Sequence, residues 1–527
     1  MIPRSLDPLI PRKAWHHWAW ALLACSSAVY FLSDNEADND LWVHLLIGRR
    51  ILASRTVPRV DDWSYTAAGH TWVDHEWLAQ TIYAWVFDVA GDVGLWALKL
   101  LLGLLTVWFV WLVVRRRAAA PWVQGAVMVF TVAVLARGFS MRPQIFTYLG
   151  VAWLLAWLDR GGLGNAECGL RNADCGMRNA EKQSQAICNP HSPIRNPQWR
   201  DVVVTLAVFT LWANAHGGFL VGLGILALYA GVPPWGRRRW GLLPVCSLAV
   251  CLNPYGPGLL RYLYGELSAP HPITEWQAVA PGDPAQLAFF LLLAALVLTL
   301  PFAETLRRRP WSAVLVAVIS VMALRHQRHT PLVALCAAGP LAEQIEGAAA
   351  WVRRRFAFQL SPPAVGTIAL LVTVLAGIQW WLLLGRLGGD GFHVVYQASE
   401  YPVGAVRFMR REGLTGNLAL PLDWGGYVLW HTAPGIKVSL DGRFATVYPP
   451  EIVTANFDFF SGGGAPQTGV ITDHATLVLS PHGAQTEAHQ SAEWRVIYRD
   501  EVTELFGRSA SSPVITDVAP TGRVRFP

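Results

Sequence analysis

Charge is what this sequence has least of: across 527 residues only 15% are Asp, Glu, Lys or Arg, while 53% are hydrophobic and 26 are Trp. With a mean hydropathy of +0.32, that balance excludes an ordinary soluble domain and places the chain in the polytopic membrane class. Trp at this density suits the interfacial belts of a bilayer. Cysteine is also scarce. Cys25, Cys246, Cys251 and Cys336 lie in apolar segments and Cys168, Cys175 and Cys188 in one polar insertion, which gives no disulfide framework. No small-residue cleavage site follows the first apolar run, so Trp15–Leu32 reads as an uncleaved first helix behind a basic N-terminal stretch. The apolar segments also lack ionisable residues at mid-depth, Lys99 near the end of its span being the main exception, which argues against a transporter with a midplane coupling site.

What is there threads a bilayer repeatedly. Candidate spans run at Trp15–Leu32, Gly94–Val114, Pro121–Leu135, Pro143–Leu158, Val202–Trp212, Gly217–Val232, Trp240–Leu252, Leu287–Leu300, Trp311–Leu324, Pro331–Leu341 and Val365–Leu384. Much of the formal net charge of +6 sits in four Arg triplets, Arg115–Arg117, Arg237–Arg239, Arg307–Arg309 and Arg353–Arg355. With the N-terminus inside, alternating spans place all four inside too, as the positive-inside rule requires. They read as topology signals, and no nucleic-acid partner is expected. Trp77–Val89 is also apolar, but counting it as a span would put Arg115–Arg117 outside, so a helix lying in the outer interface is expected there.

Residues 165–185 repeat Asn-Ala-Glu/Asp-Cys-Gly-x-Arg without the apolar seam of a coiled coil or the close Cys pairs of a zinc site. A disordered cytoplasmic insertion over 161–200 is expected. From His393 onward the texture changes, with a helical stretch at Pro402–Arg411 and strand-like runs at Asn417–Leu420, Tyr427–Trp430, Lys437–Leu440, Thr476–Leu479 and Arg495–Tyr498. The expected fold is thus an α-helical polytopic membrane protein of about 11 transmembrane helices with a small C-terminal α/β extracytoplasmic domain. Its divisions are 1–388 for the membrane domain, 389–510 for the α/β domain and 511–527 for a flexible tail.

Ionisable residues gather on one side of this threading, and such groups are costly near hydrocarbon, so their gathering suggests a site. The first outer loop holds Asp38, Asp40, His44, His75 and Glu76. Carboxylates with imidazoles suit Mg²⁺ or Mn²⁺, and Zn²⁺ less well here, with Asp40, His44, His75 and Glu76 as ligands, while a free carboxylate could act as a base. The competing reading is that Asp38 and Asp40 cap one helix and His75 and Glu76 open the next. Arg137 and Arg142 flank a short outer turn, and Arg325, Arg328 and His329 sit at another. Cations on that side call for an anion, such as a lipid-linked phosphate; pairing with nearby acids or snorkelling to headgroups is the alternative. Asn214, His216 and Tyr255 lie in tight turns, where turn chemistry competes with ligand binding. Glu275 beside Trp276 could bind a sugar hydroxyl and stack on its ring, although an interfacial anchor accounts for Trp276 equally well. Trp424, Tyr427, Asp441 and Arg443 mark polar breaks at strand edges, either plain turns or the lip of a cleft.

Together these residues resemble bacterial membrane proteins related to the GT-C glycosyltransferases, including the dolichyl-phosphate-mannose mannosyltransferase-like members. The stretches that carry the resemblance are Asp38-x-Asp40-Leu41-Trp42-x-His44, Asp61-Asp62-Trp63-Ser64-Tyr65-Thr66, Trp72-x-x-His75-Glu76-Trp77-Leu78, Arg142-Pro143-Gln144 and Trp212-x-Asn214-x-His216-Gly217-Gly218. To these are added Asn253-Pro254-Tyr255-Gly256, Glu275-Trp276, Trp424-Gly425-Gly426-Tyr427 and Asp441-Gly442-Arg443, so that coverage runs from about residue 30 to 508 except for the insertion. Val43 departs from a second Trp expected after Trp42, a change of packing more than of chemistry.

The resemblance implies an enzyme of the bacterial inner membrane, N-terminus cytoplasmic, that moves a sugar from a polyprenyl-phosphate carrier to a glycan, lipid or protein acceptor at the outer face. It implies Asp38 and Asp40 as the catalytic acidic pair, and by that reading Arg137, Arg142, Arg325, Arg328 and His329 hold the donor phosphate. Asn214, His216, Tyr255, Glu275, Trp276, Trp424, Tyr427, Asp441 and Arg443 would bind substrate. Three other functions stay open: a polymerase or ligase acting on lipid-diphosphate glycans, a transporter, and a non-catalytic assembly protein.

Overall fold

The computed structural model describes residues 15–160, 199–231, 241–268, 274–304, 309–357, 360–461, 468–508 and 514–527. Of the insertion, residues 161–198 lie outside the described residues, as do Arg237–Arg239.

All eleven apolar segments are helical. Trp15–Leu32 and Pro121–Leu135 keep their expected bounds, and the rest shift by a few residues or lengthen. Pro121, Pro310 and Pro362 open their helices at the first turn, where the missing amide hydrogen is not needed. The segment expected at Trp240–Leu252 stops early, at Leu242–Ala249. Asn253 Nδ2 takes the Val250 carbonyl and Asn214 Nδ2 the Leu252 carbonyl, so side chains satisfy the groups that further helix would have paired. Among the described residues three helices are long and apolar enough to cross a membrane by length and composition: Trp77–Arg117, Pro121–Gly138 and Pro362–Leu387.

Trp77–Val89 and the span after it form one 41-residue element, Trp77–Arg117, bent at Gly91, where φ is 62° and ψ −158°. A side chain there would meet the strain that only glycine avoids, and so the expected separate interface helix becomes the upper arm of a kinked one.

The two ends of the bundle differ in chemistry. At one end Asp159, 1% exposed, is bonded by Arg117 Nε at 3.1 Å and by Arg309 Nη1, with Arg116 Nη1 at 3.8 Å. Arg117 also faces Glu343 at 3.8 Å. Residues 115–117 and 309 therefore share an end, opposite the first loop. Asp159→Asn leaves guanidinium groups uncompensated among themselves, which costs about 3–5 kcal/mol in buried pairs. A lower melting temperature of the purified protein is the expected result, and an unchanged one would remove this staple from the account.

The C-terminal region carries a six-stranded mixed sheet. Its strands are β2 Gly416–Ala419, β3 Ile436–Val438, β4 Leu477–Pro481, β5 Trp494–Arg499, β6 Thr503–Arg508 and β7 Ile515–Thr516, in the order β3-β2-β4-β6-β5-β7. The expected strand at Tyr427–Trp430 is instead part of a helix, Leu422–Thr432. Trp424, Tyr427 and Val428 are spaced three and four apart and all are buried, so the helical period overrides the local β-propensity. Residues 511–527, expected as a flexible tail, also depart from expectation in their described part. There β8 (Arg523–Arg525) pairs antiparallel with β1 (Val395–Gln397), and Phe526, 4% exposed, stacks on Trp42 at 4.1 Å between ring centroids. Apolar alternation at Val524 and Phe526 supplies the anchor.

The first loop and the C-terminal sheet are fused. Trp63–Tyr65 runs along the edge of β3, with Val438 N donating to the Trp63 carbonyl and Tyr65 N to that of Val438. Asp61, 2% exposed, lies 2.5 Å from Arg443 Nη1, and Arg443 in turn holds Asp441 at 2.7 Å. The guanidinium sits over Trp63 and Trp72 at 5.2 and 5.1 Å. A charge so enclosed persists only with such partners.

Candidate active site

Asp38 and Asp40 stand at the turn before the Leu41–Ser54 helix, where the competing reading made them caps. Asp38 does accept the Asp40 amide at 3.1 Å, yet Asp40 makes no side-chain cap bond. Both carboxylates turn instead toward Arg142: its Nε lies 2.5 Å from Asp38 Oδ1 and 3.4 Å from Asp40 Oδ2, and its Nη1 bonds Glu275 Oε1. Three acids from two loops thus close on one guanidinium from a third. Tyr83 fixes that turn by donating to the Arg142 carbonyl at 2.9 Å.

The charge balance is felt most at Asp40. Burial pushes its pKa up to about 7, Arg142 pulls it down, and Asp38, Glu275 and Asp423 raise it again. Its side chain keeps 27% exposure, so it remains open to a reactant.

A second cluster lies alongside. Glu76 Oε1 is 3.7 Å from His75 Nε2 and 3.6 Å from His216 Nε2. His216 Nδ1 accepts the Gly218 amide at 2.9 Å, so the proton of the neutral ring sits on Nε2, toward Glu76. Burial lifts Glu76 to about 8, aided by Asp74 and Asp40 and opposed by Arg328 and Arg142, which keeps it protonated at neutral pH. Burial also holds His75 down to about 4 and His44 to about 3, both uncharged. A cavity of about 40 Å³, lined by His44, Asp74, His75, Glu76, Gln80 and Gly442 among others, lies within this group.

The expected metal ligands do not converge. Asp40 faces Arg142, His44 Nδ1 lies 3.5 Å from Gln80 Nε2, and His75 and Glu76 face each other beside His216. Among the described residues no three His, Cys, Asp or Glu side chains form a metal-holding group. The reason is visible at Arg142, whose guanidinium occupies the point on which the carboxylates converge. As placed, these residues do not fit a resident divalent ion.

The arginines divide. Arg142, expected on the donor phosphate, is engaged by three carboxylates. Arg328 lies 4.5 Å over the Trp276 ring and acts electrostatically on both Glu76 and His216, with no acid paired to it among the described residues. His329 adjoins Trp276 at 6.3 Å between centroids. Arg137 and Arg325 are exposed and make no ion pair among the described residues.

Of the expected substrate-binding residues, His216, Glu275 and Trp276 border these clusters. Asn214 is a brace: Oδ1 accepts from the Trp77 indole at 2.9 Å and Nδ2 bonds the Thr210 and Leu252 carbonyls. Tyr255 OH accepts the Asp74 amide at 2.9 Å and so holds the loop bearing His75 and Glu76. Trp424 donates to the Glu400 carbonyl, Tyr427 packs on Trp42 at 4.9 Å, and Arg443 is spent on Asp441 and Asp61. In these contacts the groups brace the scaffold.

Residues outside the expected set complete the site. A β-carbon at Gly442 would stand 2.3 Å from Asp40 Oδ1, and one at Gly426 3.2 Å from the Asn39 carbonyl, so the glycines let the C-terminal region close directly on the acidic turn. Asp74, 2% exposed, is raised to about 7 by burial, and its Oδ2 and Gln80 Oε1 are buried without a hydrogen-bond partner among the described residues. Its place beside His75 and Glu76 was the available signal.

No protein-family model matches the chain, and no curated protein matches it. Solved structures do. The apo oligosaccharyltransferase of Archaeoglobus fulgidus aligns over 89% of this chain and 70% of its own, with 12% identity and a TM-score of 0.55. The same organism's oligosaccharyltransferase tethered to an acceptor peptide containing the NVT sequon aligns over 95% and 75%, with 13% identity and a TM-score of 0.52. ArnT from Cupriavidus metallidurans bound to undecaprenyl phosphate aligns over 95% and 99% with 14% identity, but at a TM-score of 0.43 it adds nothing to the comparison. The likeness to the Archaeoglobus fulgidus oligosaccharyltransferase is one of overall fold.

Proposed function

We propose that the protein is a membrane glycosyltransferase that moves a sugar from a polyprenyl-phosphate carrier to an acceptor hydroxyl with inversion, at the outer face of a bacterial inner membrane. The carrying observation is the convergence of Asp38, Asp40 and Glu275 on Arg142, within a fold shared with an oligosaccharyltransferase. Arg115–Arg117 and Arg309, at the end opposite this site, support an extracytoplasmic position for it and for the C-terminal sheet, under the eleven-span threading.

In this reading the acceptor oxygen attacks the anomeric carbon as the carbon–oxygen bond to the carrier phosphate breaks. Asp40 takes the acceptor proton, and a base with a pKa near 7 suits that task. The polyprenyl phosphate departs with the bonding pair, and Arg328, with no ion pair among the described residues, faces its growing charge. Arg142 orders the acids and keeps their mutual repulsion from driving Asp40 further toward its neutral form.

The decisive experiment is transfer by the purified full chain from a panel of labelled polyprenyl-phosphate sugars and lipid-diphosphate glycans. Product with inverted anomeric configuration from a monophosphate donor is expected. Transfer from the diphosphates alone, or from nothing in the panel, would overturn this function. Two further results follow from the geometry. A base must be ionised, and Asp40 ionises near pH 7 and not near 3.8, so kcat/KM should fall about tenfold per unit as pH drops below 7 and level off above it. A profile flat from pH 5 to 8 would remove Asp40 as the base. Gly442→Ala forces the Asp40 carboxylate to move, and misplacement of about 1 Å can cost about a hundredfold. The loss should fall on kcat with little change in donor KM; unchanged kcat would show that the acid yields freely.

A further inference from the structure

A separate cavity of about 490 Å³ opens on the C-terminal region, behind the acidic turn. Its wall includes Arg407, Arg410 and Arg411 from the Val403–Arg411 helix, Arg525 from β8, and His431 and Tyr427 from the Leu422–Thr432 helix. Arginines in a last helical turn often serve only the helix dipole. That accounts for arginine at the helix end, but not for Arg410 and Arg411 opening on one cavity with Arg407, one turn earlier, and with Arg525, brought in from a strand more than a hundred residues away.

Partners account for part of the charge. Arg525 Nε lies 2.6 Å from Asp390 and Arg411 Nε 2.9 Å from Glu412. Arg407 and Arg410 have no acid among the described residues, and the cavity lining contains no Asp or Glu. His431 Nε2 is buried with no hydrogen-bond partner among the described residues. Two unpaired guanidinium groups match the nearly two negative charges of a phosphomonoester, which they can grip through paired hydrogen bonds. The volume lies within the range of small-molecule sites, larger than a bare ion needs.

We infer that this cavity is a binding site for an organic phosphate, carried either by a sugar or by a lipid headgroup. The site stands on the cavity alone and survives whether or not the transferase reading does. Its rear wall, Tyr427 and His431, packs on Trp42 at 4.9 and 5.6 Å, and Trp42 follows Asp40 by two residues, so an occupant would sit one aromatic layer from the acidic turn.

The test is calorimetric binding by the purified full chain in detergent, with glucose 6-phosphate, glycerol 3-phosphate, inorganic phosphate and glucose as probes. Both organic phosphates should bind at least tenfold more tightly than inorganic phosphate, and glucose should not bind. The tighter of the two identifies the source: sugar phosphate for a saccharide, glycerol phosphate for a headgroup. The double variant Arg407→Gln/Arg410→Gln should weaken binding at least tenfold. Both side chains are exposed, so the melting temperature should hold. Arg142→Gln should leave binding unchanged, which separates this cavity from the acidic turn. Equal affinity for inorganic phosphate, binding of neutral glucose, or undiminished binding by the double variant would each overturn the site.

Discussion

Asp40→Asn lowers the transfer rate by about a hundredfold or more, in line with the loss of a group that acts at the reacting centre. The substitution is nearly isosteric and keeps the hydrogen-bonding outline of the turn, so folding and donor binding should stay close to those of the parent. What it removes is a carboxylate whose pKa, pushed up to about 7 by burial against the pull of Arg142, leaves it able to gain and lose a proton near neutrality. The expected signature is a fall in kcat with little change in donor KM, and loss of the acid limb of the pH profile. Parental transfer by Asp40→Asn would end the assignment outright. Asp38→Asn is a useful companion, because Asp38 is the closer partner of Arg142 and its loss should free that guanidinium to hold Asp40 more strongly as the anion.

Arg142→Ala should be at least as damaging, by about a thousandfold, because it disables three groups at once. Asp38, Asp40 and Glu275 would face one another with no compensating charge. The sign of the change in Asp40 is fixed: Arg142 lowers its pKa, so removing the cation moves that pKa above 7, and residual activity should need a higher pH. A purely structural part for Arg142 would reduce activity without moving the pH limb. Arg142→Lys should recover only a little, since a single ammonium cannot present a planar fork to carboxylates on different sides.

The helices were the legible part of this protein. Eleven apolar runs sufficed to mark eleven helices, because an apolar run kept from water leaves the backbone few ways to satisfy its own polar groups. A helix at Trp77–Val89 was legible, but not its joining to the next span through a bend at Gly91. The acidic pair was legible too, from the density of charge in a chain that has so little. By contrast, Tyr427–Trp430 looked like a strand, and only its burial against Trp42 shows why a helix forms there. The four expected metal ligands do not meet for a related reason: sequence lists donors without directions, and here the donors point at Arg142, at Gln80 and at one another.

By itself the sequence determined a helical membrane bundle, a change of texture near residue 390, and an acidic first loop facing unusual arginines, since composition and spacing carry those facts locally. Which arginine serves which anion was decided only in three dimensions. Arg142 meets Asp38, Asp40 and Glu275, and Arg443 meets Asp61, across separations that no spacing rule spans. The physical reason is that a charge takes its role from its nearest opposite charge and from how far water is kept away, and both are set by packing between distant segments.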